Sequence, residues 1–243
     1  MDEFADRVAL ITGAGRGTGR EIAVTLASLG VAVAANDINP LNLEETLSQI
    51  AQVKGKARPY VFDIAKRLPI EGMIAQVLAD FKRIDILVNH AAVYPDAALL
   101  EMDEWEFHRT IDVNLGGPFF CMQLVGRVMR EQGEGTIVNL LSINHKNFLK
   151  GHTAHSASQA AIASLTRAAA NELAAYHIRV NAVCYGSNMQ DTIVLSELSP
   201  TTLQAWRDFH PQIHIGDHSD LVTKVVYLCS NDSAALNGCI IAA

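Results

Sequence analysis

A single α/β domain built on a doubly wound parallel sheet with helices on both faces is the fold that the sequence predicts, and three observations predict it. Short apolar runs alternate with longer stretches of helical periodicity over the first two thirds of the chain, the pattern of βαβ units around a buried parallel sheet. A glycine-rich turn follows the first apolar run and opens a helix. The 243 residues are 49% hydrophobic, enough for a sizeable core, and no linker, repeat or low-complexity tract divides them.

The first strand is expected at 8–12 and the second at 31–36, joined by a helix in which Ile22, Ala23, Leu26 and Leu29 recur at helical spacing. Asn39 and Pro40 open the next helix as N-cap and first-turn proline, and Leu43, Leu47 and Ile50 make its apolar stripe. A third strand follows at 57–62. Then come a helix facing inward through Ile70, Ile74, Val77, Leu78 and Phe81, and a fourth strand at 84–88. The segment 103–130 is helical in pattern, with a kink or break expected at Gly116-Gly117-Pro118. A fifth strand is expected at 137–141, a long helix at 154–175 and a sixth strand at 179–183. Residues 185–216, with two prolines and mixed polarity, read as an irregular substrate lid. A helix at 221–228 and a strand at 239–241 close one domain spanning 1–243.

Composition excludes several classes. The chain carries 26 acidic against 19 basic side chains, a net charge of −7, and has no basic stripe for a phosphate backbone, so nucleic acid is not an expected partner. No apolar run approaches the ~20 residues that span a bilayer, so no membrane segment is expected and the chain reads as cytoplasmic. Cys121, Cys184, Cys229 and Cys239 form no CxxC pair and are too scattered for a disulfide framework or a zinc site. No metal site is expected.

The chemistry begins at the glycine-rich turn, Thr12-Gly13-Ala14-Gly15-Arg16-Gly17-Thr18-Gly19. Between a strand and a helix, glycines let backbone N–H groups approach a pyrophosphate that the positive helix end stabilises. Asp37 closes the second strand 24 residues beyond Gly13, where a carboxylate can accept hydrogen bonds from adenosine ribose hydroxyls. Asp63-Ile64 closes the third strand and Asn89-His90-Ala91-Ala92 the fourth.

At these positions the sequence resembles the short-chain dehydrogenase/reductase family. Thr12, Gly13, Gly17 and Gly19 match that family's TGxxxGxG, Asp63 its adenine-pocket acid, and Asn89 and Ala91 two residues of its NNAG motif, with His90 and Ala92 replacing the other two. The resemblance also takes in Arg179-Val180-Asn181-Ala182-Val183 and the closing Tyr227-Leu228 with Gly238. It implies a Rossmann-type sheet holding a nicotinamide dinucleotide at the carboxyl ends of its strands. By that resemblance Asp37 favours NAD(H), since a carboxylate repels the extra phosphate of NADP(H), whereas Arg16 argues mildly for NADP(H). NAD is expected.

The family's catalytic set of Asn, Ser, Tyr and Lys maps onto Asn114, Ser142, His155 and Gln159. His155 lies thirteen residues after Ser142, where the family has tyrosine, and Gln159 stands in the lysine position. A phenol titrates near ~10 and needs a neighbouring cation to work at neutral pH, whereas imidazole titrates near ~6.5 unaided, so the two replacements are chemically consistent with each other. Four apart on a helix, they share a face, and the Gln159 amide is expected to hydrogen-bond the nicotinamide ribose. Gly186 is all that remains of the family's PGxxxT segment after the sixth strand. His90, His145, Lys146, Lys150, His152, His210 and His214 read more simply as packed or solvated residues than as catalytic ones.

Three functions stay open. The favoured one is an NAD(H)-dependent oxidoreductase acting on a small alcohol or carbonyl, with His155 as acid/base, Ser142 polarising the carbonyl and Asn114 organising a proton relay. The others are a catalytically lapsed nucleotide-binding or partner protein, and a non-redox lyase or dehydratase with His155 as base. A homo-oligomer, tetramer or dimer, is expected. The helix bearing Phe119, Phe120, Cys121, Met122, Leu124, Val125, Val128 and Met129 is apolar on more than one stripe and needs a second buried surface.

Overall fold

A computed structural model describes residues 3–142, 150–185 and 218–243 of the chain. Seven parallel strands form one sheet in the order β3-β2-β1-β4-β5-β6-β7. They are β1 (Val8–Thr12), β2 (Ala32–Asp37), β3 (Lys56–Val61), β4 (Ile86–Asn89), β5 (Gly135–Ser142), β6 (Ile178–Tyr185) and β7 (Ile240–Ala242). Between them run α1 (Gly17–Ser28), α2 (Pro40–Gln52), α3 (Arg67–Phe81), α4 (Glu104–Ile111), α5 (Gly117–Gln132), α6 (Thr153–Leu173) and α7 (His218–Cys229). Among the described residues no helix is long and apolar enough to cross a membrane.

The two faces of the sheet are covered by separate clusters, which is why its central strands are apolar without interruption. Strand β1 is buried at every position and sends Ala9 and Ile11 to one face and Leu10 to the other. Ala9 and Ile11 pack with Ile22 and Leu26 of α1 and Val225 and Leu228 of α7. Leu10 joins Ile70 and Met73 of α3 and Cys121, Val125 and Met129 of α5.

Several boundaries depart from the sequence expectation for local reasons. Strand β4 begins at Ile86 and not at 84, because the Asp85 carboxylate turns onto the Val8 N–H at 2.8 Å and onto Arg83, pinning the entrance of the strand to that of β1. Strands β5 and β6 each extend to eight residues by pairing in continuous register from Gly135 with Ile178 to Ser142 with Tyr185, so Ser142 is the last residue of a strand. The kink or break expected at Gly116-Gly117-Pro118 takes the form of a change in helical winding just before Gly117. A π-helical turn at Asp112–Gly116 joins α4 to α5, with the Gly117 N–H donating to the Asp112 carbonyl, and Pro118 sits harmlessly in the first turn of α5. The lid at 185–216 lies outside the described residues except for Tyr185.

Candidate active site

The glycine loop leaves the end of β1 with Gly13 at φ +69°, and a Cβ there would stand 2.8 Å from the Ala91 Cα. At Gly19 a Cβ would meet the Gly13 carbonyl at 2.1 Å. Both positions admit only hydrogen. The loop is held from behind: Thr46 donates its hydroxyl to the Ala14 carbonyl at 2.9 Å, and Arg20 donates through Nε to the Gly15 carbonyl at 3.1 Å. Arg16, the N-cap residue of α1, makes no side-chain cap hydrogen bond, and the helix that starts there directs its positive end toward the glycine loop.

Two carboxylates stand over this loop. Asp37 accepts the Gly15 N–H on Oδ2 at 3.0 Å and the Asn39 N–H on Oδ1 at 2.9 Å, so loop and carboxylate fix each other. Asp63 accepts the Ala65 N–H at 2.9 Å and forms an ion pair with Arg109 of α4 at 2.8 Å. Burial pushes the Asp63 carboxyl upward, but the Arg109 hydrogen bond, the Ala65 amide and the charges of Arg109 and Lys66 outweigh it and hold the group below the usual carboxylate range. Between the two, Asn36 donates to the carbonyls of Tyr60 and Phe62 at 2.9 and 3.0 Å and sets the end of β3.

The turn after β4 is tied to the same loop. The Thr12 hydroxyl accepts the N–H groups of His90 and Ala91 at 3.1 and 3.2 Å, and Nδ1 of His90 lies 3.2 Å from the Gly13 carbonyl. His90 therefore seats the glycine loop, a role that its place in the sequence does not announce. Asn89 points into the sheet and donates to Asn139 at 2.8 Å.

The third group gathers at the ends of β5 and α6. Asn114, set inward by the π-helical turn, accepts the Val93 N–H at 2.8 Å and donates to the Val93 carbonyl at 2.9 Å and to the Ser158 hydroxyl at 3.2 Å. His155 is 4% exposed, and its Nδ1 reaches the same Val93 carbonyl at 3.2 Å. Nδ1 also lies 3.3 Å from Nδ2 of Asn114; a proton on Nδ1 serves the Val93 carbonyl, which only accepts, and places the lone pair on Nε2. Among the described residues that Nε2 is buried without a partner. The Tyr94 ring meets His155 edge-on with centroids 4.4 Å apart and lies against His152 at 4.1 Å. Burial lowers the His155 pKa to about 4, with the Val93 carbonyl opposing and His152 adding to the fall, so the expectation of an unaided imidazole near its ordinary value is corrected.

Gln159 makes a contact that the sequence does not announce. Its Oε1 accepts the backbone N–H of Ser142 at 2.7 Å. Being uncharged and shorter than lysine, it is drawn to the nearest buried donor, the end of β5.

A cavity of about 460 Å³ connects these groups. Gly13, Arg16, Asp37, Asp63, Ile64 and Arg109 line one end, His90 and Ala91 the middle, and Val93, Tyr94, Ser142, His155 and Tyr185 the other. Of the residues expected from sequence, Thr12, Gly19, Asn89 and Asn114 support the wall from behind, and Gly17 and Thr18 form the first turn of α1 beside it. Gly186, His145, Lys146, His210 and His214 lie outside the described residues. Arg109, Tyr94, Val93, Arg20 and Thr46 were not anticipated.

A family model for short chain dehydrogenases matches residues 7–200. The chain belongs to the short-chain dehydrogenase family. Members are oxidoreductases that use nicotinamide cofactors. This short-chain dehydrogenase is 33% identical over 235 residues to the 3-oxoacyl-(acyl-carrier-protein) reductase FabG of Thermotoga maritima, covering 97% of this chain and 95% of that protein. It is 34% identical over 235 residues to the (2S)-[(R)-hydroxy(phenyl)methyl]succinyl-CoA dehydrogenase subunit BbsD of Thauera aromatica, covering 96% and 93%. Among solved structures it resembles an NAD+-bound xylitol dehydrogenase, with TM-score 0.89, 29% identity, and 99% and 98% of the two chains covered. A 7α-hydroxysteroid dehydrogenase in complex with NADH and 7-oxo glycochenodeoxycholic acid gives TM-score 0.91 at 29% identity, over 100% and 95%.

Proposed function

We propose that this short-chain dehydrogenase is an NAD(H)-dependent oxidoreductase for a small alcohol or carbonyl, with His155 exchanging the proton at the substrate oxygen. The observation that carries this reading is the position of His155: Nδ1 is fixed on a backbone carbonyl, and Nε2 is buried and unpartnered among the described residues, in a side chain on the cavity wall with Ser142.

The fit to a dinucleotide rests on the hydrogen-only positions at Gly13 and Gly19 and on the helix N-terminus of α1 that follows them. Gly13, Arg16, Gly17 and Thr18 would hold the pyrophosphate, Asp37 the adenosine ribose, and Asp63 with Ile64 the base. Asp37 supports NAD over NADP, because a carboxylate fixed by two backbone amides repels a phosphate. When bound, the nicotinamide supplies or accepts the hydride. The chain's own work is with the substrate. Ser142 at the end of β5 orients the oxygen, Asn114 braces Val93, and Val93 holds the His155 ring.

The competing reading is a dinucleotide-binding protein whose chemistry has lapsed, and the diversion of Gln159 onto Ser142 favours it. A panel of alcohols and carbonyls, followed by absorbance of the reduced nicotinamide, finds the substrate. His155→Ala then separates the readings: a loss of ~10²–10⁴-fold supports His155 as the acid/base, and unchanged turnover rejects it.

A further inference from the structure

The loop that leaves β3 is fastened to α4 and to the turn that carries Asn114. Asp63 and Lys66, three residues apart on that loop, pair with Arg109 and Asp112, three apart on the helix, with the charges reversed between the two pairs. Between them Ile64 packs so closely on the start of α5 that a Cβ at Gly117 would stand 2.7 Å from its Cδ1 and 3.0 Å from its carbonyl oxygen. Asp63 and Arg109 both line the cavity, at the end that Asp37 and Arg16 share. With side chains 37% and 29% exposed, their ion pair adds little to stability; what it fixes is direction. A carboxylate offers about four lone-pair sites. The Ala65 N–H occupies one on Oδ1 at 2.9 Å and Nη1 of Arg109 one on Oδ2 at 2.8 Å. Held by a backbone amide on one oxygen and a helix side chain on the other, the group does not turn, and the sites left over can take a donor from a ligand.

We propose that Arg109 is a positioning residue for the choice of base: it holds the Asp63 carboxylate at one angle, so that the cavity takes a purine with an exocyclic amino group in preference to one with an oxygen at the same place. This rests on the dinucleotide reading above, in which Asp63 and Ile64 meet the base, and names what sets the preference. The Asp63 carboxyl lies below its usual range, so at neutral pH it accepts and does not donate. An adenine amino group supplies the donor that it needs. Hypoxanthine presents an oxygen there, with lone pairs only, and its nearest donor is the ring N–H one atom further round. A carboxylate free to turn could follow that donor. One fixed between Ala65 and Arg109 cannot, and sets lone pair against lone pair. Arg109 also balances charge. Asp37 and Asp63 bring two negative charges to this end of the cavity, and Arg16 and Arg109 two positive ones. Without Arg109 the end would turn a net negative charge toward an anionic pyrophosphate. Its loss therefore has two separable effects, weaker binding of any dinucleotide and loss of the preference between bases.

Binding alone tests this, with no substrate required. Fluorescence titration at neutral pH should show NADH binding roughly tenfold or more tightly than reduced nicotinamide hypoxanthine dinucleotide, the discrimination expected when a hydrogen bond to a charged acceptor is lost. Arg109→Met should weaken NADH binding and bring that ratio below about threefold. Asp63→Asn should lower the ratio as well, since an amide can turn either a donor or an acceptor to the base. Adding Arg109→Met to Asp63→Asn should then leave the ratio where it is, the mark of a residue that acts through another. The pair is exposed enough that neither change should disturb folding. A wild-type ratio near one, an unchanged ratio in Arg109→Met, or a further change of ratio in the double variant overturns the proposal. The two levels separate cleanly. If the wild type binds neither dinucleotide, the function proposed above fails and this role fails with it. If NADH binds and the ratio ignores Arg109, the function stands and only this role falls.

Discussion

Oε1 of Gln159 accepts the backbone N–H of Ser142 at 2.7 Å, joining the end of β5 to the second turn of α6. The helix that carries His155 is thereby locked to the strand that carries Ser142, and the two side chains keep their spacing without a cation between them. Gln159→Leu should remove the acceptor that the Ser142 N–H uses, at a cost of about 1–3 kcal/mol in urea unfolding. Gln159→Lys should leave turnover flat or lower it, because the new charge disfavours the His155 imidazolium. A gain in dehydrogenase rate from that single change would contradict the role assigned to His155.

Stability should carry the signature of His155. The folded chain favours the neutral ring, with a pKa near 4, against ~6.5 in the unfolded chain. The unfolded state thus takes up the proton first as pH falls. The stability due to the neutral ring is whole above pH ~6.5, declines between ~6.5 and ~4, and is lost below, on the order of 3 kcal/mol in all. Urea midpoints across that window, wild type minus His155→Gln, measure it. A difference independent of pH would show that the ring is not held neutral. Alcohol oxidation should likewise persist to about pH 5 and fail near 4.

Cofactor choice turns on Asp37. Titration calorimetry should give tighter binding of NADH than of NADPH, and Asp37→Ser should narrow the gap by relieving repulsion at the 2′ position while loosening the Gly15 amide. Equal binding by the wild type would assign the preference to Arg16.

The outer faces of α5 and α6 leave a groove of about 270 Å³ lined by Phe119, Met122, Leu165, Leu173 and Tyr176. Phe119 and Tyr176 are each about 40% exposed, and Arg127 and Glu172 lie on the same surface, so a second copy related by a two-fold axis would bring opposite charges together. Light scattering at micromolar concentration should return at least a dimer, and Phe119→Asp should shift it toward monomer. A monomeric wild type would refute this surface.

The alternation of strands and helices, the glycine loop and the Ser142-to-His155 spacing were legible because each depends on residue type at a fixed interval. What Ser142, His155 and Gln159 do with their hydrogen bonds was not. The ring nitrogen that carries the proton is decided by the Val93 carbonyl, a backbone group that any residue at position 93 would offer. Gly116-Gly117-Pro118 marked an interruption of the helix but not its kind, a π-helical turn that aims Asn114 inward. Arg109 was hidden differently: nothing on α4 marks it, and its partner Asp63 lies 46 residues earlier. A basic residue in the helix facing the end of β3 was the signal available.

Strand β1 lies between β2 and β4, and its two edges are completed at different moments of synthesis. Ala32 arrives soon after Val8, but the partner of the other edge, with the Asp85 carboxylate that receives the Val8 N–H, lies 77 residues downstream. At the ~5–20 residues per second of translation, a strand buried at every position in the finished fold waits roughly 4–15 s with one edge bare. A ribosome stalled before Ile86 holds a two- or three-stranded ribbon with an open apolar edge. The nascent chain, more than the finished enzyme, is where this fold is exposed to aggregation.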